Sequence, residues 1–332
     1  MEQTGEAYAA LEEYPVQALA VYAAERDPVA GGAVWRVDTD RGPKCLRRLR
    51  PPAIVAKLAV AVHRHLEGKG ARVPQLALTG TGDPYATSGG GTYVLMEWLA
   101  GSEPGLFRPA ELAVLARVLA SFHRAGEGFP WPGGELGGPE WPQAYARIAR
   151  ECDEAAWFAG ARSDAASRLV AASAPAQAGR AREALRRLLA SPYPLLAAGA
   201  PARGYLCRDG FSEHDIRLCA SGPFLVRFTK SSCDLPVRDL RRLVNRVMKA
   251  HGRWDAGLLS TIVAAYGEER PLSPAELEVL AIDLACPHLY HSCIRKAFRG
   301  LRPVERVPAD EVRRRVALEA SKDAALAALG WA

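Results

Sequence analysis

The stretch YLCRDGFSEHDIRL, Tyr205–Leu218, lies in the helix-rich half of a 332-residue chain and does not itself read as a helix. Gly210 and Ser212 interrupt it, Asp209 and Asp215 give it charge, and two strand-like runs, IRLCA and FLVRF, follow it. A polar loop running into short strands among helices is a position where a rigid scaffold can present reactive side chains. Which chemistry it carries depends on the sequence around it.

Upstream, the first hundred residues read as strands. QALAVYAAERD and GAVWRVDTD flank PVAGG, and KCLRRLR follows the turn DTDRGP, the pattern of an antiparallel meander. Pro51 and Pro52 open a helix over about 53–67, with Ile54, Leu58, Val62 and Leu66 every four residues. VPQLALTG, a Gly-rich turn at 79–91 and TYVLMEWL complete five strands. After AGSEPG the periodicity becomes helical. Pro109 suits a first turn, and Leu112, Leu115, Ala116, Leu119 and Phe122 form a buried stripe. Residues 127–140 read as a loop and 141–190 as two helices. SPAE, Ser273–Glu276, is a capping box ahead of Leu277, Leu280, Ala281 and Leu284. The expected class is α+β, with an antiparallel five-strand lobe over 1–100 and a mostly helical lobe over 101–332.

Composition narrows the function. The apolar share of 49% and charged share of 24% are those of a globular protein, and a net charge of +6 is mild. The basic residues scatter over helices, as at Arg241, Arg242, Arg246 and Lys249, so they read as solvated faces and not as a nucleic-acid groove. Seven cysteines, at positions 45, 152, 207, 219, 233, 286 and 293, include no C-x-x-C pair, which argues against structural zinc and a disulfide framework. The acidic, polar start MEQTGEAYAALEEY is unlike a signal peptide, and no apolar run reaches the length of a bilayer span. The expectation is a soluble protein kept inside the cell, without nucleic-acid partners or membrane insertion.

The order of elements resembles a protein-kinase-like fold, in its aminoglycoside phosphotransferase branch, and within that the CotS-type spore coat kinase-like proteins. YVLMEWLAG resembles the hinge strand, LASFHRAGEGF the helix after it, and DLPVRDLRRL the segment beyond the metal loop. The long run WDAGLLSTIVAAYGEERPLSPAELEVLAIDLACPHLYHSCIRKAF resembles the C-terminal helices of the spore coat group. The resemblance implies a bilobal, single kinase-like unit and, for an active member, ATP and Mg²⁺. It also implies other spore coat proteins as partners, and a cytoplasmic protein deposited on the spore coat of an endospore former.

Phosphoryl transfer needs a strand lysine, a catalytic-loop aspartate, and an Asn and a second Asp on the metal. Arg47 falls on the lysine position, and the helix over 53–66 offers it no carboxylate. Aligned through Leu206, Cys207, Phe211 and Ile216, the family's His-Gly-Asp falls on Arg208, Asp209 and Gly210, and its Asn on Asp215. A one-residue slip makes Asp209 the catalytic aspartate and puts His214 at the Asn position. The second metal aspartate falls on Arg227, before Phe228. A fixed cation there repels Mg²⁺, since two like unit charges near 4 Å cost about 4 kcal/mol at intermediate dielectric. Arg227 could pair instead with Asp215 or Asp209. Asp234 reads as a helix-start residue and Asp239 as a brace for the loop. Met96, Glu97 and Leu99 match hinge positions of a vestigial nucleotide cleft, and the Gly-rich loop is only PVAGG. The resulting expectation is a catalytically inactive kinase-like coat protein with no bound cofactor or metal. The alternatives are an ATP-dependent small-molecule phosphotransferase with an atypical loop, and a nucleotide- or sugar-binding module without turnover.

Overall fold

The computed structural model describes residues 2–24, 32–49, 53–131, 139–227, 231–298 and 307–331. Two compact units form, each from separate stretches of sequence. One takes Met1–Pro104, Arg124–Phe129 and Arg208–Ser232; the other takes Gly105–His123, Pro130–Cys207 and Cys233–Ala332. The loop at 208–215 therefore belongs to the same unit as the first hundred residues.

That first unit opens with helix α1 (Glu2–Leu11), where the sequence reading had only strands. Ala7, Ala10 and Leu11, with Tyr14 just beyond, are at helical spacing and pack on Trp35, Val37, Leu46 and Leu95. The Tyr14 hydroxyl donates to the Tyr93 carbonyl at 3.0 Å, fixing the helix end to the sheet. The sheet comprises β1 (Ala18–Ala23), β2 (Val34–Thr39), β3 (Gly42–Leu49), β4 (Ala86–Ser88) and β5 (Gly91–Glu97), with α2 (Ala53–Gly68) after β3. Its order is β1-β2-β3-β5-β4 and every pairing is antiparallel. The five strands are as expected, but the fourth is not VPQLALTG. Pro74 has no N–H to donate, and that segment makes only the bridge Leu76–Met96, with Ala77 N donating to Leu95 O and Glu97 N to Gln75 O. The opposite face of the sheet buries Cys45, Leu49, Val94 and Met96 against Ala56 and Val60 of α2. Pro51, Pro52 and most of PVAGG lie outside the described residues.

On α2, His63 is 3% exposed and bonds the Pro74 carbonyl through Nε2 at 2.7 Å, so that nitrogen carries the proton. Burial pushes its pKa down to about 4, and the Arg47 charge adds to the fall while the Pro74 bond opposes it. An unfolded His63 takes its proton near pH 6.5, whereas the folded one resists until about 4. The unfolded state therefore binds more protons in that window, and stability drops as pH falls from about 6.5 to 4. A His63→Gln variant is expected to show a shallower loss across this range in urea titrations. An unchanged pH profile would contradict the assignment.

The later part of the first unit, from the second residue of β6 (Cys207–Arg208) onward, holds a 3₁₀ turn (Glu213–Asp215), β7 (Ile216–Cys219), β8 (Gly222–Leu225) and β9 (Ser231–Ser232). IRLC of the first run and FL of the second thus pair in a hairpin, with Ile216 opposite Leu225. Arg72 holds it from outside, stacking on Phe224 at 4.7 Å and accepting the Leu225 N–H on its own carbonyl at 2.9 Å.

The second unit is helical: α3 (Pro109–Gly126, its last turn in the first unit), α4 (Trp141–Gly160), α5 (Ala165–Ala190), α6 (Tyr193–Arg203), α7 (Val237–His251), α8 (Ala256–Glu269), α9 (Pro274–Ala285), α10 (His288–Phe298), α11 (Ala309–Ala320) and α12 (Lys322–Ala327). The expected α3 stripe is buried throughout, and the Ser273–Glu276 box forms, with Glu276 N donating to Ser273 Oγ at 3.2 Å and Ser273 N to Glu276 Oε2 at 3.0 Å. Asp283 on α9 is buried and accepts from Tyr145 at 2.6 Å, His288 at 2.7 Å and Arg241 at 2.9 Å. Arg242 faces Asp239, and Arg313 and Arg314 face Asp310 and Glu311, so much of the basic scatter is engaged in local ion pairs.

Candidate functional site: a cleft with an internally satisfied loop

The loop that opened the sequence reading is closed on itself. Gly210 takes φ +94°, a left-handed turn that an L side chain resists, and it reverses the chain after Asp209. Ser212 then starts the 3₁₀ turn. Its N–H and hydroxyl reach Asp215 Oδ2 at 2.8 and 3.3 Å, and Asp215 N returns to the Ser212 carbonyl at 3.0 Å. The other carboxylate oxygen accepts from Arg208 Nη2 at 2.9 Å. Both partners are buried, Arg208 at 2% and Asp215 at 1% exposure. Such a pair is held by geometry and hydrogen bonds that offset the loss of water. The guanidinium on Asp215 Oδ1 is that of Arg208, from the same loop.

Beside the loop, the first unit contains a cleft of about 640 Å³. Arg47, Met96, Glu97, Leu99 and Arg227, five of the residues singled out from sequence, all line it. Arg208, Asp209, Gly210 and Asp215 are not among its lining residues. Arg47 sits on β3 opposite Val94, with Cys45 opposite Met96 and Lys44 opposite Glu97. Arg47 is 9% exposed and Arg227 8%. Burial raises the pKa of the Cys45 thiol, while the positive fields of Arg47 and Arg217 pull it back, so two cations act on one wall of the cleft. At the hinge the Glu97 N–H is taken by Gln75 O and the Trp98 N–H by Pro43 O.

Glu103, His214 and Arg217 form a polar corner that the sequence did not reveal. Gly101 approaches the Leu218 carbonyl so closely that a Cβ would collide with it, and Ser102 exchanges backbone bonds with Leu218. This contact places Glu103 over the loop, where Oε2 meets His214 Nδ1 at 2.5 Å and Oε1 accepts from Arg217 Nη1 at 2.7 Å. Burial raises the Glu103 pKa, but these two bonds outweigh it and hold the carboxyl below its usual range. His214, the alternative metal ligand of the slipped register, is engaged by Glu103 and lies 3.5 Å from Glu213.

The donor set does not suit Mg²⁺. That ion needs carboxylate or carbonyl oxygens and retained water. Both Asp215 oxygens are committed within the loop, and the cleft positions carry Arg47 and Arg227. No step through a bound metal follows from this arrangement.

Within the second unit, Asp239 is fully buried, 3.3 Å from His123 Nε2 and 3.5 Å from Arg242. His123 also bonds the Tyr266 hydroxyl at 2.7 Å, and burial lowers its pKa against the pull of Asp239. Cys207 lies near enough to complete a His123–Cys207–Asp239 group, but its thiol donates to the Asp234 carbonyl at 3.1 Å. Asp234 is not a cap. It is 2% exposed and accepts from Trp141 Nε1 at 2.8 Å, Leu235 N at 2.7 Å and the Arg238 guanidinium, tying α4 to the start of α7. His288 and His291, an i,i+3 pair, bond Asp283 and Glu151 respectively.

A family model described as the phosphotransferase enzyme family matches residues 28–279. The chain belongs to that family. It is 28% identical over 267 residues to spore coat protein S of Bacillus subtilis (strain 168), covering 79% of this chain and 76% of that one. Among solved structures it is similar to an aminoglycoside phosphotransferase from Alicyclobacillus acidocaldarius subsp. acidocaldarius DSM 446, with a TM-score of 0.84, 18% identity and coverage of 97% and 95% of the two chains. It is also similar to an amicoumacin kinase solved with AMP-PNP and Ca²⁺, with a TM-score of 0.57, 14% identity and coverage of 97% and 93%. The fold is thus the expected aminoglycoside phosphotransferase-like α+β fold, and the relative named for the spore coat agrees with the resemblance read from the C-terminal helices. Among the described residues no helix is long and apolar enough to cross a membrane.

Proposed function

We propose that this member of the phosphotransferase family is catalytically silent and serves in a spore coat or its assembly. It would be made in the cytoplasm, deposited on the coat, and held there by other coat proteins, with no resident cofactor. The observation that carries the silence is the buried Arg208–Asp215 pair. The carboxylate aligned with the family's metal-binding Asn is neutralised by its own loop, while Arg227 lines the cleft where the second metal aspartate aligns. The likeness to spore coat protein S supports the coat assignment.

The test is restoration. Gly210→Asp returns a carboxylate to the aligned catalytic position, where an added Cβ meets nothing within 4 Å but the φ of +94° strains it. The expected outcome is a loss of about 1 kcal/mol in stability and no gain of phosphoryl transfer, because the metal cradle is still missing. Transfer from MgATP by the unaltered chain would contradict the proposal. The competing reading, an active phosphotransferase using Asp209, is favoured by the kinases among the solved neighbours. It requires a measurable ATP turnover that Asp209→Ala abolishes.

A further inference from the structure

The five-strand sheet of the first unit has two edges, and they differ. At one, β4 is only three residues long and gives another chain little backbone to pair with. At the other, β1 runs six residues, ALAVYA, and among the described residues β2 is its only strand neighbour. It carries no charge and no proline, devices that keep an edge from pairing. A bulge blunts only its start. Leu19 is the extra residue between the pairs Ala18–Thr39 and Ala20–Asp38, and the register is regular from Ala20 to Ala23. Tyr22 and Ala23 are exposed, the tyrosine ring without a core to enter.

Ala24 donates its N–H to the Val34 carbonyl at 2.9 Å, so Ala24 faces β2. Directions alternate along an antiparallel strand. Ala20 and Tyr22 therefore also bond inward, while the N–H and C=O groups of Val21 and Ala23 point away from the sheet. A second β1 laid antiparallel along this edge, about a two-fold axis at Tyr22, sets Val21 against Ala23 of the other copy. Every outward donor then meets an outward acceptor. The two Tyr22 residues face each other as a non-hydrogen-bonded pair, the closer of the two kinds, where aromatic neighbours stabilise a sheet. No like charges meet along the seam, because the strand has none.

We propose that β1 pairs with β1 of a second copy of this chain, joining their two sheets into one across an axis at Tyr22. The contact is isologous and uses up the long edge of both copies, so assembly closes at a dimer. A seam this short buries less than a standard interface, and the dissociation constant is expected at roughly 10–100 µM. The pairing holds whether or not the loop at 208–215 is silent.

Sedimentation velocity of the full chain from about 5 to 500 µM should show a monomer passing to a dimer. Tyr22→Lys sets two ammonium groups face to face at the axis, and Ala23→Pro deletes an outward N–H without touching a bond to β2. Each should weaken the dimer at least about tenfold, with thermal melts confirming that both variants fold. Leu19→Ser, outside the paired stretch, should leave it unchanged. A second measurement fixes the register. In a Cys219→Ser background, which removes the one thiol that is not buried, a mild thiol oxidant should link Tyr22→Cys into a disulfide dimer. Facing Cα atoms of a non-hydrogen-bonded pair lie within disulfide reach, whereas Ala20→Cys faces Ala24 and should not link. A monomer at every concentration overturns the proposal. So does a dimer that Tyr22→Lys and Ala23→Pro leave intact, one that Leu19→Ser weakens as much, or equal linking of the two cysteine variants.

Discussion

Replacing Arg208 with alanine is expected to remove about 3–5 kcal/mol of stability, the usual cost of stranding one member of a buried ion pair. Asp215 would keep its bonds to Ser212 N and Oγ but would lose the Arg208 cation on its other oxygen, at 1% exposure. The melting temperature should drop by at least about 5 °C. Adding Asp215→Asn to Arg208→Ala should recover much of the loss, since a neutral amide can still accept from Ser212 without an unpaired charge. A single variant within about 0.5 kcal/mol of the parent would show that the pair does not hold the loop. A double variant no better than the single would show that charge is not the cause.

The second large effect is expected in the second unit, at Lys322. It is fully buried, with Nζ 2.6 Å from Glu319 Oε2 and 3.1 Å from the Cys286 carbonyl, and it sits 5.0 Å from the Trp254 ring centroid. Lys322→Ala would leave the Glu319 carboxylate, itself buried, facing a cavity with the Tyr290 N–H at 3.3 Å as its remaining donor. A loss of about 3–5 kcal/mol should appear in denaturant melts followed by tryptophan fluorescence. Lys322→Met with Glu319→Gln, which removes both charges and keeps the volume, should cost far less than Lys322→Ala. Equal losses would mean that the lost ion pair itself, and neither the stranded Glu319 charge nor the cavity, carries the effect.

The five-strand sheet, the stripe on α3 and the Ser273–Glu276 cap were legible because each is a local pattern: alternation, helical spacing or a four-residue signature. Helix α1 was missed although Ala7, Ala10 and Leu11 have the right spacing, because its acidic surface residues draw attention from a stripe of small side chains. The fourth strand was misplaced because VPQLALTG has strand composition while Pro74 limits its pairing. At the site, Arg47, Met96, Glu97, Leu99 and Arg227, named from the family's motif order, line one cleft, whereas Arg208, Asp209, Gly210 and Asp215 are not among its lining residues. The pairing within the loop was not readable. Arg208 reaches Asp215 across a turn set by the φ of Gly210, and sequence spacing does not encode that φ. The Glu103–His214–Arg217 corner joins residues more than 110 positions apart through the Gly101–Leu218 contact, which no local pattern announces. Lys322 was equally hidden, because a lysine on a short terminal helix reads as solvated until the packing places Glu319 and Trp254 around it.

The central claim is that both Asp215 oxygens are committed within their own loop, to Arg208 and Ser212, and not to a divalent ion. Electron paramagnetic resonance of Mn²⁺, added to the full chain with ADP, measures this directly. The account predicts the spectrum of Mn²⁺–ADP in the same buffer, unchanged by the protein. An immobilised Mn²⁺ signal that disappears with Asp209→Asn or Asp215→Asn would contradict it.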